Sequence, residues 1–262
     1  MPFKQPDAIK YFTFDSFADL PITHAVFTRQ GGVSRTPWNS LNVGLTVGDD
    51  PSDVMRNRQR AFDTLGRDEQ TLSDSWLVHG RDVLVYDQPR PRTQPTPPKA
   101  DIILTDKPAV SLFMRYADCV PILLVDPVRR AVGLAHAGWK GTVLKVAQQA
   151  VEAMTAQYGS KPGDMLAGIG PAIGPDRYEV GLEVVAEVQA AFGADAPSLL
   201  PQFGTSTHFD LWQANALTLQ QAGVRQIELS GQCTAEYTGD WFSHRAEDGK
   251  TGRFGVLLAL EE

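Results

Sequence analysis

The stretch "YADCVPILLVDPVRRAVGLAHAGWKGT", residues 116–142, contains two apolar runs that are joined by only a few residues around "DPVRR". Parallel strands need a connection of about a dozen residues or more, so these two runs must pair as an antiparallel hairpin. Asp126 followed by Pro127 suits the first two positions of a type I turn. With that turn, Cys119 is predicted to lie directly opposite His136 at the open end of the hairpin. A longer loop changes the register by an even step and leaves both side chains on the same face.

A cysteine opposite a histidine has two chemical interpretations and one structural interpretation. Directly opposed residues have Cβ atoms about 4.5–5.5 Å apart. That spacing suits two ligands of one zinc ion, and it equally suits a thiolate–imidazolium pair. The alternative is a buried cysteine that acts as a small apolar residue. Gly138 and Gly141 favour a functional site, because they open a strand-to-helix turn where a helix N-terminus can receive an anion.

A third candidate ligand is His79, in "WLVHGRD" at residues 76–82. It stands at the edge of a β-type run and is followed by glycine. One cysteine and two histidines make three protein ligands with a fourth position open, which is the usual arrangement of a catalytic zinc site. A structural zinc would need a fourth protein ligand, and the sequence offers none close by.

Short β-type runs outnumber helices along the chain and do not alternate with them one for one. This pattern predicts an α/β (α+β) fold with a mixed sheet and helices on its faces, and not a Rossmann or TIM arrangement. The predicted strands are "HAVFTR", "RDVLVYD", "ADIILTD", "AVSLFMRY", "PILLVD", "AVGLAHAG", "MLAGIG" and "QIELSG". The predicted helices cover residues 51–66 with Ser52 or Asp53 as the N-cap, 142–158, 180–193, and the segment from the N-cap Asp210 to Gly223.

The segment "DQPRPRTQPTPPKA", residues 87–100, contains five prolines and is predicted to be an extended loop. We place no domain boundary there, because the proposed metal site needs residues from both sides of it. The expectation is a single catalytic domain over residues 1–262.

Composition excludes several classes of protein. Of the 262 residues, 42% are hydrophobic, and the net charge of −7 argues against a protein held to nucleic acid by phosphate contacts. No apolar run reaches the roughly 20 residues that a membrane span needs. Two cysteines do not make a disulfide framework. We therefore expect a cytoplasmic protein with reduced thiols, a monomer without nucleic-acid or membrane partners.

Six motifs, taken in order, resemble those of the polyphenol oxidase (laccase-domain) family, whose members are also described as purine nucleoside phosphorylases. The motifs are "HAVFTRQGGVSRTPWNSLNVGLTVGDDPSDVMRNR", "VHG", "ADCVPILLVD", "AHAGWKGT", "GIGPAIGPDRYEVG" and "SHRAEDGKTGR". The resemblance extends from about Thr23 to Arg253. It implies a single-domain mixed β-sheet sandwich with flanking helices, similar in fold to toxin deamidases that carry a Cys/His pair.

The resemblance also implies a zinc site, described as copper in older accounts, whose ligands match His79, Cys119 and His136. The implied reactions are phosphorolysis of adenosine, guanosine, inosine and 5'-methylthioadenosine, and hydrolytic deamination of adenosine. Purine nucleosides and phosphate are the implied partners. Three positions depart from the family pattern: Leu77 replaces a usual Gln, Tyr116 a usual Thr, and Ala246 a usual Arg.

Further residues are candidates for catalysis or substrate binding, each with an ordinary structural alternative. Arg58 and Asp118 are assigned to catalysis beside Cys119 and His136, although Arg58 has the alternative of a solvated helix charge. In a regular strand Asp118 would point to the opposite face of the sheet, whereas at the end of the strand it can orient a ligand histidine. The substrate-binding candidates are Arg29 in an anion-binding turn, Asn42 in "SLNVG", Lys140 at a helix entrance, and Arg245 in a basic C-terminal loop.

Four functions remain open from the residues. The leading hypothesis is a zinc-dependent purine nucleoside enzyme. The second is an amide hydrolase with Cys119 as nucleophile and His136 as base. The third is a copper-dependent polyphenol oxidase. One thiolate and two imidazoles are fewer ligands than multicopper chemistry needs. The fourth is a binding module that a metal only stabilises.

Overall fold

The computed structural model describes residues 2–91, 93 and 96–262. Fourteen strands are present over these residues: β1 (Phe3–Lys4), β2 (Tyr11–Phe12), β3 (Ile22–Phe27), β4 (Leu72–Ser73), β5 (Val83–Val85), β6 (Ile102–Thr105), β7 (Ser111–Tyr116), β8 (Val120–Asp126), β9 (Ala131–Ala137), β10 (Leu166–Ile169), β11 (Gln202–Phe203), β12 (Ser206–Thr207), β13 (Gln226–Leu229) and β14 (Phe254–Leu260). The α-helices are α1 (Pro51–Thr64), α2 (Trp139–Val143), α3 (Val146–Tyr158), α4 (Leu182–Phe192), α5 (Ala196–Leu199) and α6 (Leu211–Gln221).

Two six-stranded sheets of mixed direction form the centre of the molecule. The first has the order β1-β2-β3-β14-β7-β4, and the second has the order β13-β10-β8-β9-β6-β5. An apolar layer between them is built from both, with Met114 and Val256 from the first sheet and Leu123 and Leu134 from the second. The predicted mixed α/β sandwich is therefore confirmed.

The outer faces of the two sheets are covered by helices. Helix α1 packs Phe62 against Phe113 and Leu257 of the first sheet. Helices α3, α4 and α6 cover the second sheet, where Ile122 and Leu124 lie in their shared core. The architecture is thus helix, sheet, sheet, helices. Over the described residues, no helix is long and apolar enough to span a membrane.

The β8–β9 hairpin is antiparallel as predicted, but its register differs from the predicted one by two residues. Pro121, not Cys119, lies opposite His136, and Asp126 pairs with Ala131. The turn therefore takes four residues instead of two. Asp126 remains in the strand and accepts hydrogen bonds from the amides of Val128 (2.9 Å) and Arg129 (3.0 Å). Because the shift is an even step, Cys119 and His136 stay on the same face.

The central strand β14 was missed by the sequence analysis. It pairs antiparallel with both β3 and β7, and every residue of it is buried. A strand that is buried on both faces has no alternation of apolar and polar residues, so the run "FGVLLAL" lacks the period of two that marks a half-buried strand.

Two helix predictions need correction. The predicted helix over residues 142–158 is two helices, because Lys145 adopts a left-handed backbone (φ 60°) between α2 and α3. The N-cap of α1 is Asp50, not Ser52 or Asp53, since its carboxylate accepts from the Ser52 amide (2.8 Å) and Pro51 takes the first helical position.

Other predicted boundaries are confirmed. Asp210 caps α6 by accepting from the Gln213 amide (2.9 Å), and Gly193 ends α4 with a positive φ of 54°. In the proline-rich segment, the described residues form no helix, and Lys99 makes a single bridge to Trp76. Arg92, Gln94 and Pro95 of that segment lie outside the described residues.

Candidate metal centre and cavity

Cys119 lies where the chain crosses from one sheet to the other. Strand β7 of the first sheet ends at Tyr116 and strand β8 of the second sheet begins at Val120, so the connection is three residues long. Asp118 in this bend has a left-handed backbone, φ 80°. His136 continues the alternation of Val132 and Leu134, which face the layer between the sheets. Both side chains therefore lie at one open end of the sandwich.

His79 reaches the same place from the loop between β4 and β5. It is exposed and has a positive φ of 58°, which is uncommon for a residue other than glycine. The ligand atoms of His79, Cys119 and His136 all lie within 4.8 Å of one another. Among the described residues, this is the one group of three or more His, Cys, Asp or Glu side chains that could hold a metal ion.

The space beside these ligand atoms depends on a glycine. A Cβ atom at Gly138 would lie 2.8 Å from Nδ1 of His79 and 3.0 Å from Sγ of Cys119. Any larger residue there would press on two of the three ligands. One thiolate and two imidazoles are ligands that zinc accepts readily, and three protein ligands leave a position for water or substrate. The residues present fit a catalytic metal site.

Cys119 and His136 each stabilise the charged form of the other. Burial alone would raise the pKa of the Cys119 thiol, but the charge of His136 and hydrogen bonds from His136 and His79 outweigh burial and lower it. Burial alone would lower the pKa of His136, but Cys119 and Asp101 outweigh burial and raise it. The metal-free pair therefore favours a thiolate beside an imidazolium, and the thiolate is the form that binds a metal.

Asp118 does not orient a ligand histidine, contrary to one expectation. Its carboxylate accepts from the Thr234 hydroxyl (2.7 Å) and from the backbone amide of Arg245 (2.7 Å). It thereby ties the crossover to the C-terminal loop. The carboxylate that bonds a ligand ring is Asp101, which lies 2.8 Å from Nδ1 of His136.

A cavity of about 560 Å³ opens beside the three ligands, within the size range of small-molecule sites. Its lining is rich in basic side chains. Arg58, Arg90, Arg115, Arg245 and Arg253 line it, together with the carboxyl groups of Asp74 and Asp118. Five guanidinium groups against two carboxylates give this cavity a positive potential that suits an anionic ligand.

Two predicted site residues, Arg58 and Arg245, are among those lining this cavity. Arg58 is 3% exposed, so it is not a solvated helix charge, and it donates from Nε and Nη2 to the Val43 carbonyl (3.0 and 2.9 Å). Arg245 is exposed, donates from Nη1 to the Glu179 carbonyl (3.0 Å), and lies over the Tyr178 ring.

Arg29 and Asn42 are not brought to the cavity lining. The Arg29 guanidinium donates to the carbonyls of Asn39 and Thr238 and to the Glu247 carboxylate. The Asn42 side chain bonds Gly44, Asp49 and the Arg253 amide. Both residues support neighbouring loops, because their polar atoms are used by protein groups.

Lys140 lies at a second, smaller cavity of about 240 Å³ that adjoins the first. His79, Asp118, Cys119 and Tyr178 line both cavities. The remaining lining of the smaller cavity is mainly apolar: Gly138, Trp139, Ile173 and Leu211 join Lys140 there. Lys140 is therefore separated from the arginine-rich lining, and its position differs from that of Arg58 and Arg245.

Sequence reasoning missed several residues of the site. Asp74 bonds both Arg90 (2.8 Å) and Arg115 (2.8 Å), and these three residues come from segments without a motif. Asp101 directly precedes the apolar run "IILT", which forms β6. Knowing that β6 pairs with β9 would have been enough to place Asp101 near His136. Pairing of separate strands cannot be read from local spacing.

Comparisons with known proteins agree with this geometry. Residues 23–261 match the family model described as multi-copper polyphenol oxidoreductase laccase. A purine nucleoside phosphorylase of Deinococcus radiodurans is 38% identical over 242 residues, covering 92% of this chain and 90% of the relative. The purine nucleoside phosphorylase YlmD of Bacillus subtilis is 37% identical, covering 90% and 87%.

Solved structures give the same result. The crystal structure of YlmD from Geobacillus stearothermophilus has a TM-score of 0.92 at 34% identity and covers 100% of this chain and 99% of its own. A Bacillus licheniformis protein, YfiH, has a TM-score of 0.90 at 32% identity, with 99% of each chain covered. The resemblance drawn from the six motifs is confirmed, and the chain belongs to the multi-copper polyphenol oxidoreductase laccase family.

Proposed function

We propose that this protein is a zinc-dependent purine nucleoside phosphorylase. The observation that carries the proposal is that His79, Cys119 and His136 converge on the wall of an arginine-rich cavity. The names of the relatives support the same reaction class. The proposed substrates are adenosine, guanosine, inosine and 5'-methylthioadenosine, with phosphate as the second substrate, and hydrolytic deamination of adenosine as an additional reaction.

Phosphorolysis joins a phosphate oxygen to C1' of the ribose and breaks the bond from C1' to the purine nitrogen. The products are the free purine and the sugar 1-phosphate, which is ribose 1-phosphate for adenosine, guanosine and inosine and its 5-methylthio derivative for 5'-methylthioadenosine. Two or more guanidinium groups can bind a phosphate through paired charge-assisted hydrogen bonds. Arg58, Arg245 and Arg253 are our candidates, because they line the cavity beside the ligand cluster from helix α1 and from the loop that precedes β14. Zinc, when bound, would supply a Lewis acid next to these groups.

The two cavities suggest how a nucleoside would lie. The larger one offers positive charge for phosphate and ribose. The smaller one offers Trp139, Tyr178 and apolar side chains, on which a flat purine can pack. In this arrangement the reacting bond lies near the residues shared by both cavities, and Lys140 stands beside the purine and not beside the phosphate.

The whole chain is proposed to act as one catalytic domain. Residues lining the arginine-rich cavity come from positions as distant as Gly44 and Arg253. The monomer expected from the sequence stays a prediction.

A second candidate, an amide hydrolase, rests on one specific observation. Cys119, His136 and Asp101 are in contact in series, the order of a nucleophile, a base and an orienting carboxylate. Metal on the thiolate would block this chemistry. Alkylation of Cys119 separates the two functions, because a metal enzyme should be slow to alkylate until it is chelated, whereas a hydrolase should form a covalent substrate adduct at Cys119.

The phenol oxidase function has less support. The described residues contain one group of metal-ligating side chains, and that group has three members. Multicopper chemistry needs several copper sites with more histidine ligands.

The experiment that tests the main proposal is turnover of adenosine and inosine with and without phosphate, at measured zinc content. Adenine with ribose 1-phosphate should form only with phosphate, and inosine should form from adenosine without it. Arg245→Ala should raise the phosphate KM about 10-fold, the loss expected for one charge-assisted hydrogen bond. It should leave the phosphate-independent reaction within about twofold.

Arg177→Ala is the matched control, since this exposed arginine is adjacent in sequence to Tyr178 and, among the described residues, forms an ion pair only with Asp176, at 3.6 Å. Its phosphate KM should not change. Neither product appearing at full zinc occupancy would contradict the proposal.

A further inference from the structure

The carboxylate of Asp101 contacts two of the three metal ligands at once. Oδ1 lies 2.8 Å from Nδ1 of His136 and accepts from the His79 amide at 3.0 Å. Oδ2 accepts from the amides of Val78 (3.1 Å) and Gly80 (2.7 Å). Asp101 itself is 0% exposed. One buried side chain therefore links the ring of one ligand to the loop that carries another.

We propose that Asp101 is the positioning residue that assembles the metal site, by fixing the His136 ring and the His79 loop with a single carboxylate. The inference rests on the proposed zinc site, but it does not depend on which substrate that site turns over.

The His136 contact settles which ring nitrogen is available. Nδ1 donates to the carboxylate, so Nε2 is left for a metal. The backbone amide of His136 also donates to the Asp101 carbonyl at 2.8 Å. The ring and the strand of His136 are thus held by the same residue.

The loop contact stabilises an unusual backbone. His79 has a positive φ of 58°, a conformation that costs about 1 kcal/mol or more for a residue other than glycine. Three successive amides of residues 78–80 converge on the Asp101 carboxylate and offset this cost. Without these three acceptor contacts, we expect the loop to relax and carry His79 away from Cys119.

Only an ionised carboxylate can make this set of contacts. Each Asp101 oxygen accepts two hydrogen bonds, and a carboxylate is an acceptor at both oxygens. Asparagine would turn an NH₂ group toward two N–H donors, whichever way its amide is oriented. Asp101→Asn therefore changes one atom and loses two of the four contacts.

The matched control is Asp126→Asn at the turn of the β8–β9 hairpin, the end far from His136. Asp126 is also 0% exposed and accepts two amides, but both bonds go to Oδ1. Its Oδ2 has no hydrogen-bond partner among the described residues. Asparagine can keep both contacts there, so the fold tolerates the change and the metal site is untouched.

Zinc affinity, measured by competition with a chromophoric chelator, tests the proposal on the full-length protein. Asp101→Asn should weaken zinc binding about 10–100-fold, and Asp126→Asn should stay within about twofold of the unmodified protein. Thermal unfolding in excess chelator establishes that each variant is folded. A folded Asp101→Asn variant with unchanged zinc affinity would overturn the proposal.

A measurement on the unmodified, zinc-loaded protein covers the case in which Asp101→Asn does not fold. Long-range proton–nitrogen NMR should show a proton on Nδ1 of His136 and the metal on Nε2. The reverse assignment overturns the proposal, as does a protein that binds no zinc. If the protein binds zinc normally but does not turn over nucleosides, only the proposed function is contradicted, and the role of Asp101 stands.

Discussion

The centre and the open end of the β8–β9 hairpin belong to the same two strands but have opposite properties. At the centre, Ile122, Leu123 and Leu124 are 0% exposed and contact apolar layers on both faces of the sheet. At the open end, Cys119 is half-buried, and His79, which lies against it, is exposed. Asp118 and His79 there have positive φ values. The backbone is regular where apolar residues are buried and irregular where polar side chains converge.

This difference teaches how stability and chemistry are separated in the fold. Burial of apolar area stabilises the hairpin through its middle, and that contribution does not require a metal. The thiolate, the two imidazoles and the strained loop of His79 can therefore be placed at the open end without lowering the stability of the sheet. Substitutions at the two places should affect different measurements.

The largest expected effect is loss of activity on removal of a ligand. Cys119→Ala and His136→Ala should lower nucleoside turnover by at least about 10³-fold, because a bound metal contributes several kcal/mol to the transition state. Stability should fall by only about 1 kcal/mol for Cys119→Ala. His136→Ala should cost slightly more, since buried Asp101 loses a donor. Activity assays and urea unfolding measure both quantities. A large stability loss in Cys119→Ala would mean that the metal is structural.

The second expected effect is on the centre of the hairpin. Leu124→Ala should lower the free energy of unfolding by about 2–5 kcal/mol, because it opens a cavity between the second sheet and its helices. The folded protein should keep its zinc content, measured by elemental analysis after gel filtration. Zinc loss from the folded fraction would show that the two regions are coupled.

A smaller, more local effect is expected at Gly138. Its φ of −72° is accessible to any residue, so Gly138→Ala strains no backbone. The new methyl group would instead press on His79 and Cys119, and zinc affinity should fall about 10-fold or more. Gly239→Ala is the control, since its methyl group would meet no atom within 4 Å among the described residues. Equal zinc affinities for the two variants would contradict the steric argument.

Features of the fold could be predicted from the sequence where they depend on residues that are close together along the chain. The pairing of β8 with β9 followed from the short connection, and the shared face of Cys119 and His136 followed from the period of two. The exact register did not follow, because Asp126 used its side chain to close a four-residue turn. The break between α2 and α3 at Lys145 was missed for the same reason. The Lys145 ammonium lies 3.1 Å from the centre of the Phe192 ring, and a contact between distant segments cannot be read from local sequence.

The three candidate metal ligands were predicted because each has a motif around it. The arginine-rich cavity was found only in part, because Arg58 and Arg245 stand in family motifs whereas Arg90 and Arg115 do not. Their role follows from a shared partner, Asp74, at 2.8 Å from each. Arg29 shows the same limitation, because its Gly-Gly context predicted an anion site, whereas in the fold its guanidinium pairs with Glu247. The local sequence around a residue does not show which distant side chains it will contact in the fold.

The last expected effect concerns a titratable group outside both regions. His24 in β3 accepts from the Phe14 amide through Nε2 at 2.9 Å. Burial, with a smaller contribution from Lys4 that Glu228 opposes, lowers the pKa of His24 from 6.5 to about 4. Between these values the unfolded chain binds a proton that the folded protein does not.

Stability from neutral His24 is therefore fully present above about pH 6.5 and is lost as the pH falls toward 4. Between pH 7 and pH 5 the loss should be on the order of 2 kcal/mol. Urea unfolding of the unmodified protein and of His24→Gln at both pH values measures it, because glutamine retains an acceptor for the Phe14 amide but does not titrate. The stability difference between the two proteins should shrink at pH 5 by that amount. A difference that does not change with pH would mean that the pKa of His24 is the same in the folded and unfolded states. The His24→Gln substitution should leave the metal site unaffected in either case, because His24 lies in another part of the molecule.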